Sequence, residues 1–540
     1  MDLVMSLLPI VLLIWLMVKR NSMPASRALP LVALLLCVLQ LFYFGAEPDY
    51  LYATVLAGLL TALTPILIVW GAIFLFQTIE RSGGMTVIRS WLNGVTGNRV
   101  AQLMIVGWAF PFLIEGASGF GTPAALAAPI LVGLGFRAVP VAMLCLVMNS
   151  VPVSFGAVGT PTWFGFKELS LSAADIREIG YKSAVIHSVA ALVVPVMALR
   201  LVVPFSEIRR NLGFIYLSIL SCVVPMVVLS FFTYEFPSIA GGFVGLVLSV
   251  ILARRSIGLD TAQHTDNVIP EYACWNRETG SVSAYALIRA AFPLWGTVVV
   301  LILTRIQQLG IKGILNDPTP VFDVPIAGLG MLTVSPSLVV GLHGIFSTQV
   351  SWVHNFLYVP SLVPFILISL IAFVVFKMPK RTMRQVWTDS LVKMRGPVLA
   401  LLGALVMVKL LMMGGDAAGT MIIGNHLAEW VGAYWQLGAP FLGALGSFFS
   451  GSATISNLTF GAIQDSIAVS LALDRTTILA LQSVGGAMGN MVCINNIVAV
   501  CSVLGIARQE GRILKKTILP MLVYGVIASA LGAAYLITGE

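Results

Sequence analysis

The sequence predicts an all-α polytopic membrane protein with about 12 transmembrane helices and two re-entrant helical hairpins in inverted repeats. Three observations lead to this prediction. Of the 540 residues, 58% are hydrophobic and only 10% are charged, and the mean hydropathy is +0.96. Apolar runs long enough to cross a bilayer recur along the whole chain. Two apolar segments are also interrupted by short, glycine-rich polar stretches.

The predicted crossings are the apolar runs that match the thickness of the hydrocarbon core. They fall at about residues 3–18, 28–45, 51–77, 138–160, 183–203, 211–232, 238–253, 285–304, 355–376, 397–413, 476–505 and 517–537. Two further regions, 325–346 and 421–436, are ambiguous and are not counted as crossings. The first run has neither a basic flank nor a small-residue cleavage site, so we expect it to be a retained span.

The formal net charge of +8 comes from basic residues that lie in short loops between the apolar runs. Such residues orient a membrane protein by facing the cytoplasm, and their positions agree on one topology with both termini outside. The charge therefore does not indicate nucleic-acid binding. The six cysteines lack metal-ligand spacing, and the sequence has no phosphate loop or dinucleotide fingerprint. No cofactor, metal or ATP drive is expected.

Two polar stretches mark the predicted hairpin tips. The first reads EGASGFGTP at residues 115–123, and the second reads SGSATISN at residues 450–457. Broken backbone is tolerated in hydrocarbon only where protein or a water-filled cavity surrounds it. We therefore predict re-entrant hairpins at about residues 101–135 and 437–472. The arm before the first tip has about 14 residues and would be roughly 21 Å long, too short to cross the bilayer.

The two halves of the chain are predicted to be inverted repeats. At a constant offset of 335, residues 115–117 align with residues 450–452. The first repeat, with two extra spans, covers residues 1–253, a cytoplasmic linker covers 254–284, and the second repeat covers 285–540. Inverted repeats with interrupted helices are typical of secondary transporters, which bind their substrate near the bilayer midplane between the repeats.

The span after each hairpin is interrupted as well, at about residues 138–160 and 476–505. Pro152 removes a backbone donor, and neighbouring glycines loosen the helix. The half-helices then present free N–H groups and a positive dipole end, which suit an anion. The alternative, that small residues merely let helices pack closely, accounts less well for four breaks in matched positions.

Polar residues at the four breaks are the candidate ligands of a small organic anion. Glu115 is predicted to couple protons, because burial in a membrane disfavours the charged form of an acid. It could instead cap a hairpin arm or pair with a distant basic residue. His187, within an apolar span, is either a helix–helix hydrogen bond or a relay. The predicted substrate-binding residues are Ser118, Gly119, Thr122, Asn149, Ser150, Ser452, Thr454, Ser456, Asn457, Asn490, Asn495 and Asn496.

Other functions stay open at this point. Sodium coupling is the near alternative, because carbonyls freed at broken helices and neutral Asn and Ser oxygens suit Na⁺. A channel is a further alternative. Residues 116–119 (GASG) fit the GxSG pattern of rhomboid intramembrane proteases, but four residues are a weak signal and leave the second polar hairpin unexplained. The chain is therefore predicted not to be an enzyme.

Three segments resemble the bacterial L-lactate permease family, namely EGASGFGTP at 115–123, LVGLGF at 131–136 and NSVPVSFGA at 149–157. The resemblance covers most of the chain. It implies proton-coupled uptake of lactate, and often glycolate, across the bacterial inner membrane. It also implies an ion-transporter-superfamily fold, with a scaffold domain that often forms a homodimer and a moving domain that holds both hairpins.

The second half departs from the family pattern at two places. The family typically has Gly-Ser-Asp-Thr at the second tip, where residues 451–454 read GSAT. It typically has Gly-Lys-Met-Ile-Ser-Pro-Gln in the second interrupted span, where residues 489–495 read GNMVCIN. A charge-assisted bond to a carboxylate is about twice as strong as a neutral one. Without the acid and the lysine, the expected substrate is either another small hydroxy acid or lactate held mainly by helix dipoles and amides.

Overall fold

Two units, each assembled from two separate stretches of chain, make up the fold. The computed structural model describes residues 1–18, 23–119, 122–260, 282–305, 309–359, 362–506 and 509–538, without the side chains of a few further residues such as Ser118 and Thr122. Unit 1 comprises Met1–Met85 and Ile288–Trp430, and unit 2 comprises Thr86–Leu287 and Val431–Glu540. Both predicted repeats thus contribute to both units, and the repeat boundaries stay a prediction.

The predicted linker at 254–284 lies between two described helices. Pro237–Arg254 ends where the linker begins, and Ala284–Ala290 begins where it ends. Most of the linker, residues 261–281, lies outside the described residues.

Unit 1 is mainly helical. Its long helix Lys380–Leu411 packs closely on Ala25–Phe42 at Gly403. A Cβ placed on Gly403 would lie only 2.4 Å from the backbone N of Pro30, so the site has no room for a larger residue. Small residues at such positions let helix backbones approach each other. The α-helices that lie wholly or mainly in this unit are Asp2–Val18, Ala25–Phe42, Pro48–Thr61, Leu63–Arg81, Phe292–Arg305, Ile311–Leu315, Ile368–Val375, Lys380–Leu411 and Gly419–Val431.

A four-stranded antiparallel sheet in unit 1 was not predicted from the sequence. Its strands pair in chain order and are Phe322–Ile326, Gly330–Val334, Val339–His343 and Trp352–Asn355. Leu342 and Trp352 from its last two strands bury against Ala53 and Ala57 of the helix Pro48–Thr61. The sheet occupies the ambiguous region 325–346, which is therefore not a helical crossing.

Unit 2 holds both predicted hairpins and both predicted interrupted helices. A π-helical turn, Ile105–Ala109, joins the second and third of its helices. The α-helices that lie wholly or mainly in this unit are Gly84–Asn93, Arg99–Met104, Phe110–Ser118, Thr122–Gly133, Ala138–Met148, Gly156–Trp163, Ala173–Ala191, Val194–Arg200, Phe205–Arg210, Leu212–Ser230, Pro237–Arg254, Ala284–Ala290, Trp435–Ser450, Ala453–Ser470, Arg475–Gly489, Ile494–Leu504 and Glu510–Thr538.

The helices confirm a polytopic helical membrane protein, but not the count of 12 crossings. Within the described residues, nine helices are long and apolar enough to cross, or up to 11 if two bent pairs each count as one span. The predicted crossings at 3–18 and 355–376 correspond to the shorter apolar helices Asp2–Met17 and Leu362–Val375. The first hairpin arm is longer than predicted, because the helix continues through Glu115 instead of ending before it. Arg99–Ala117 has 19 residues and is one of the nine helices long enough to cross, so the prediction that this arm is too short to cross the bilayer is wrong.

A buried lysine joins two helices of unit 2. Lys182, in Ala173–Ala191, is 3% exposed, and its Nζ lies 2.8 Å from both Asp474 Oδ2 and Glu178 Oε1. Asp474 also caps Arg475–Gly489 through its side chain. A single cation thus fixes the start of the second interrupted helix against a neighbouring helix.

Acid should loosen this junction. Burial opposes ionisation of Asp474, yet hydrogen bonds from Lys182, Thr477 and Thr476 hold the pKa of its carboxyl well below its usual range. The carboxylate therefore stabilises the fold fully above the ordinary Asp pKa of about 3.9, and this stabilisation is lost as the pH falls towards the lower folded-state pKa. We expect thermal unfolding midpoints to fall less for Asp474→Asn than for the wild type between about pH 5 and pH 3.

The control is Asp49→Asn, at an exposed position in the first turn of Pro48–Thr61. It should follow the wild type across the same pH range. If the unfolding midpoints of Asp474→Asn and the wild type fall equally with pH, the stabilising role of the Lys182 junction is contradicted.

Candidate functional site

The first hairpin turns at Gly119. Gly119 has φ +59°, and its N–H donates to the carbonyl of Glu115 at 2.9 Å. The second arm, Thr122–Gly133, folds back on the first, because a Cβ placed on Gly107 would lie 3.5 Å from Leu131 Cδ1. The two arms are therefore antiparallel, as a hairpin requires. The depth of its tip in the bilayer stays a prediction.

The second hairpin turns at Gly451. This glycine has φ +74°, and its N–H donates to the carbonyl of Ser447 at 2.8 Å. Ser452 then caps the returning helix Ala453–Ser470 by accepting from the N–H of Ile455 at 3.3 Å. Both tips thus depend on a glycine in a backbone conformation that other residues rarely adopt.

The first interrupted helix has a strained break. Ala138–Met148 and Val153–Trp163 meet at 63°. Within the second piece, Ala157 (φ 44°) and Val158 (φ 59°) both adopt left-handed backbone conformations. A β-branched residue in that region is an outlier, and such strain clusters at functional sites.

The second interrupted helix has a milder break. Arg475–Gly489 passes through one 3₁₀ turn, Asn490–Val492, into Ile494–Leu504. Its apolar stretch still counts as a single 27-residue span. The two interrupted helices therefore occupy matching chain positions but differ in how far they bend.

Each hairpin tip lies against the break of the helix that follows it. A Cβ placed on Gly119 would lie 3.1 Å from both the N and the Cβ of Ala157. A Cβ placed on Gly451 would lie 3.2 Å from Cys493 Sγ. This equivalence supports the inverted repeats without establishing their orientation in the membrane.

The two tips and the two breaks enclose a cavity in unit 2. The space between its lining residues is about 260 Å³, including the part that is open to solvent. Its lining residues are Glu115, Gly119, Val153, Gly156, Ala157, Pro161, Gly451, Ser452, Ala453, Thr454 and Asn490.

Glu115 supplies the carboxyl group of the cavity. It is 2% exposed, and its Oε2 accepts a hydrogen bond from Asn149 Nδ2 at 3.0 Å. Gly156 lies against the other oxygen, because a Cβ placed there would be 2.5 Å from Oε1. Asn149 Oδ1 is buried and has no hydrogen-bond partner among the described residues. The carboxyl is thus held on one side by an amide and confined on the other by a glycine backbone.

Some of the predicted site residues line the cavity. Glu115, Gly119, Ser452, Thr454 and Asn490 line it. The side chains of Ser118 and Thr122 lie outside the described part of the chain. The substrate roles of all these residues stay predictions.

The remaining predicted ligands make internal contacts. Asn149 binds Glu115, as described above. Ser150 and Ser456 donate to the carbonyls of Val147 and Gly443 at 2.7 and 2.6 Å. Asn496 Nδ2 donates to Asn490 Oδ1 at 2.9 Å, whereas Asn495 is exposed. Ser150 and Asn496 thus make contacts within the breaks, whereas Ser456 joins the two arms of the second hairpin.

Asn457 belongs to a buried chain of amides. Its Nδ2 donates to the carbonyl of Pro161 at 2.9 Å, and its Oδ1 accepts from Gln482 Nε2 at 3.3 Å. Gln482 Oε1 accepts from Gln464 Nε2 at 3.0 Å, and Gln464 Oε1 accepts from Trp435 Nε1 at 2.7 Å. Neither glutamine was predicted from the sequence, although amides within apolar helices were a usable signal.

His187 lies in a second buried network. Its Nε2 is 2.8 Å from Ser154 Oγ, and its Nδ1 contacts the Tyr524 hydroxyl. Ser483 Oγ donates to Ser154 Oγ at 2.9 Å. The network ties the first interrupted helix, through Ser154, to the second, through Ser483. His187 therefore makes the helix–helix contacts that were one of its two predicted roles.

Comparison with known proteins identifies the family. The family model described as L-lactate permease matches residues 2–537. The chain belongs to the L-lactate permease family. It is 50% identical over 534 residues to a putative L-lactate permease of Haemophilus influenzae, covering 99% of this chain and 98% of that one. It is 26% identical to the L-lactate permease of Salmonella typhimurium, covering 98% and 95% of the two chains. It is also 26% identical to a glycolate permease of Escherichia coli, covering 94% and 91%.

In this member of the L-lactate permease family, two of the segments that carried the resemblance reach the cavity. Residues 115–123 contribute Glu115 and Gly119, and residues 149–157 contribute Val153, Gly156 and Ala157. The residues predicted from the sequence were almost all polar, so the apolar part of the lining was not predicted.

Proposed function

We propose that the chain imports a short 2-hydroxy monocarboxylate, L-lactate or glycolate, together with protons across a bacterial inner membrane. The names of its relatives support the substrate, since they include L-lactate permeases and a glycolate permease. The lining of the cavity supports the proton coupling. The homodimer that the family resemblance implies stays a prediction.

One observation carries the proton coupling: the cavity has a carboxyl group and no described basic side chain. Glu115 lines it, whereas no described Lys, Arg or His does. Two negative charges 4 Å apart repel by about 4 kcal/mol at an effective dielectric constant of 20. A bound carboxylate therefore strongly favours a neutral Glu115. Substrate and proton would then bind together, which is the requirement for symport.

Neutral donors of the second repeat would hold the substrate. Ser452, Thr454 and Asn490 line the cavity and are each less than a tenth exposed. The helix Ala453–Ser470 begins at the cavity, and the first turn of a helix carries a positive partial charge that favours an anion. These groups would replace the cation that a carboxylate otherwise pairs with.

Purified protein in proteoliposomes tests the proposal. An inward proton gradient should drive accumulation of radiolabelled L-lactate or glycolate, and a protonophore should abolish it. Replacing sodium by choline should leave the accumulation unchanged. A preloaded vesicle should show counterflow, which a channel does not give. Uptake that ignores the proton gradient, or that requires sodium, would refute the coupling.

A further inference from the structure

The cavity has an apolar wall as well as polar groups. Val153 and Ala453 both line it, and they pack on each other and on Ala487. All three side chains are buried, with exposed fractions of 2%, 3% and 0%. They come from three different elements: the break of the first interrupted helix, the start of the returning arm Ala453–Ser470, and the helix Arg475–Gly489.

This wall is fixed in place on both sides. Behind Ala453, a Cβ added to Gly486 would lie 3.4 Å from both its Cα and its Cβ, so the backbones are in close contact. Beside Val153, the Ser154 hydroxyl is held by His187 at 2.8 Å and by Ser483 at 2.9 Å. A wall supported in this way cannot easily retreat from a larger ligand, because packed interiors accommodate extra volume only with strain.

From this arrangement we infer that Val153 and Ala453 limit the size of the substituent on carbon 2 of the substrate. This inference rests on the proposed function and narrows its substrate class. Small 2-hydroxy acids differ mainly in that substituent: hydrogen in glycolate, methyl in lactate, ethyl in 2-hydroxybutyrate. The carboxylate and hydroxyl need polar partners, so the substituent is the part that an apolar wall can accept. The permease should therefore take glycolate and lactate and discriminate against longer or branched homologues.

The same geometry indicates that His187 helps to position the apolar wall. It is a positioning residue, because it contacts Ser154 and not the cavity. Through Ser154 it fixes the backbone from which Val153 projects. The His187–Ser154–Ser483 contacts thus determine the position of Val153 in the apolar wall.

The test uses competition against labelled lactate uptake in proteoliposomes, with glycolate, lactate and 2-hydroxybutyrate as competitors. Val153→Ala removes two carbon atoms from the wall. The inhibition constant of 2-hydroxybutyrate relative to glycolate should fall by about fourfold or more, the effect of burying one methylene. Val153→Ile should have the opposite effect. It should raise the inhibition constant of lactate relative to that of glycolate by roughly tenfold or more. Each ratio is taken within one variant, so the amount of folded protein cancels.

Val151→Ala is the matched control. Val151 is fully buried in the same break but does not line the cavity. The ratios of inhibition constants measured for Val151→Ala should equal those of the wild type. If Val153→Ala and Val151→Ala change the ratios equally, or if neither Val153 variant changes them, the inference is overturned while the proposed function stands. A wild type that transports no 2-hydroxy acid would instead refute the proposed function.

Discussion

Replacing Glu115 by Gln should abolish proton-driven accumulation while leaving substrate exchange intact. In proteoliposomes with a one-unit inward pH gradient, the wild type should accumulate lactate roughly tenfold if one proton moves with each substrate. The Glu115→Gln variant should not accumulate lactate above the external concentration under the same gradient. Its counterflow exchange of labelled for unlabelled lactate should persist.

The reason lies in what the substitution preserves. The introduced glutamine would have the shape of the neutral acid, so the cavity would still accept a carboxylate without charge repulsion. The amide cannot release a proton, so the empty carrier could no longer return with an ionised Glu115. Exchange does not require that step, because the substrate is bound in both directions. The split between accumulation and exchange therefore reports the coupling itself and not the amount of folded protein.

Glu207→Gln provides a control within the same unit. Glu207 forms a partly exposed ion pair with Arg99 at 3.5 Å, away from the residues that line the cavity. Such pairs contribute little to stability, so accumulation should resemble the wild type. If Glu115→Gln accumulates lactate as the wild type does, another group carries the proton. If it loses exchange as well, Glu115 contributes to substrate binding beyond its charge.

The sequence predicted the hairpins and interrupted helices well because their signals are local. Gly119 and Gly451 have the positive φ angles that the helix reversals require. Broken, glycine-rich backbone is tolerated in hydrocarbon only where protein or a water-filled cavity surrounds it. The unpredicted sheet has a different origin. Its strands are short and partly exposed, and helix periodicity and hydropathy carry little information about such elements. The region 325–346 was therefore ambiguous in sequence and was not counted as a crossing.

The candidate site was predictable by chain segment but not by individual side chain. Asn457 and Thr454 lie on the same helical arm and are equally plausible ligands in sequence. Only the fold separates them: Thr454 lines the cavity, whereas Asn457 bonds to the carbonyl of Pro161 and to Gln482. Gln482 comes from a helix that the chain reaches 25 residues later, so its position relative to Asn457 depends on tertiary packing.

Gly156→Ala should inactivate transport through Glu115 while leaving the fold largely intact. Gly156 has φ −63° and ψ 154°, which alanine adopts without strain, so the backbone has no reason to change. The added Cβ would instead lie 2.5 Å from Glu115 Oε1, and the carboxyl, as the end of a flexible side chain, would have to move. A misplacement of about 1 Å can cost roughly 100-fold in rate. We expect a loss of proton-driven lactate uptake of that order, with an unfolding midpoint close to that of the wild type.

A second substitution makes this result specific to the contact. Glu115→Asp shortens the acid by one methylene and should restore part of the uptake in the Gly156→Ala background, although alone it should lower uptake. Such non-additivity is expected for residues in contact and not for distant, independent sites. Gly133→Ala, at the end of the returning arm with no heavy atom within 4 Å of the added Cβ, should leave uptake unchanged. If the two effects at Glu115 and Gly156 simply add, the carboxyl is not confined by Gly156, because confinement requires that each change alter the cost of the other.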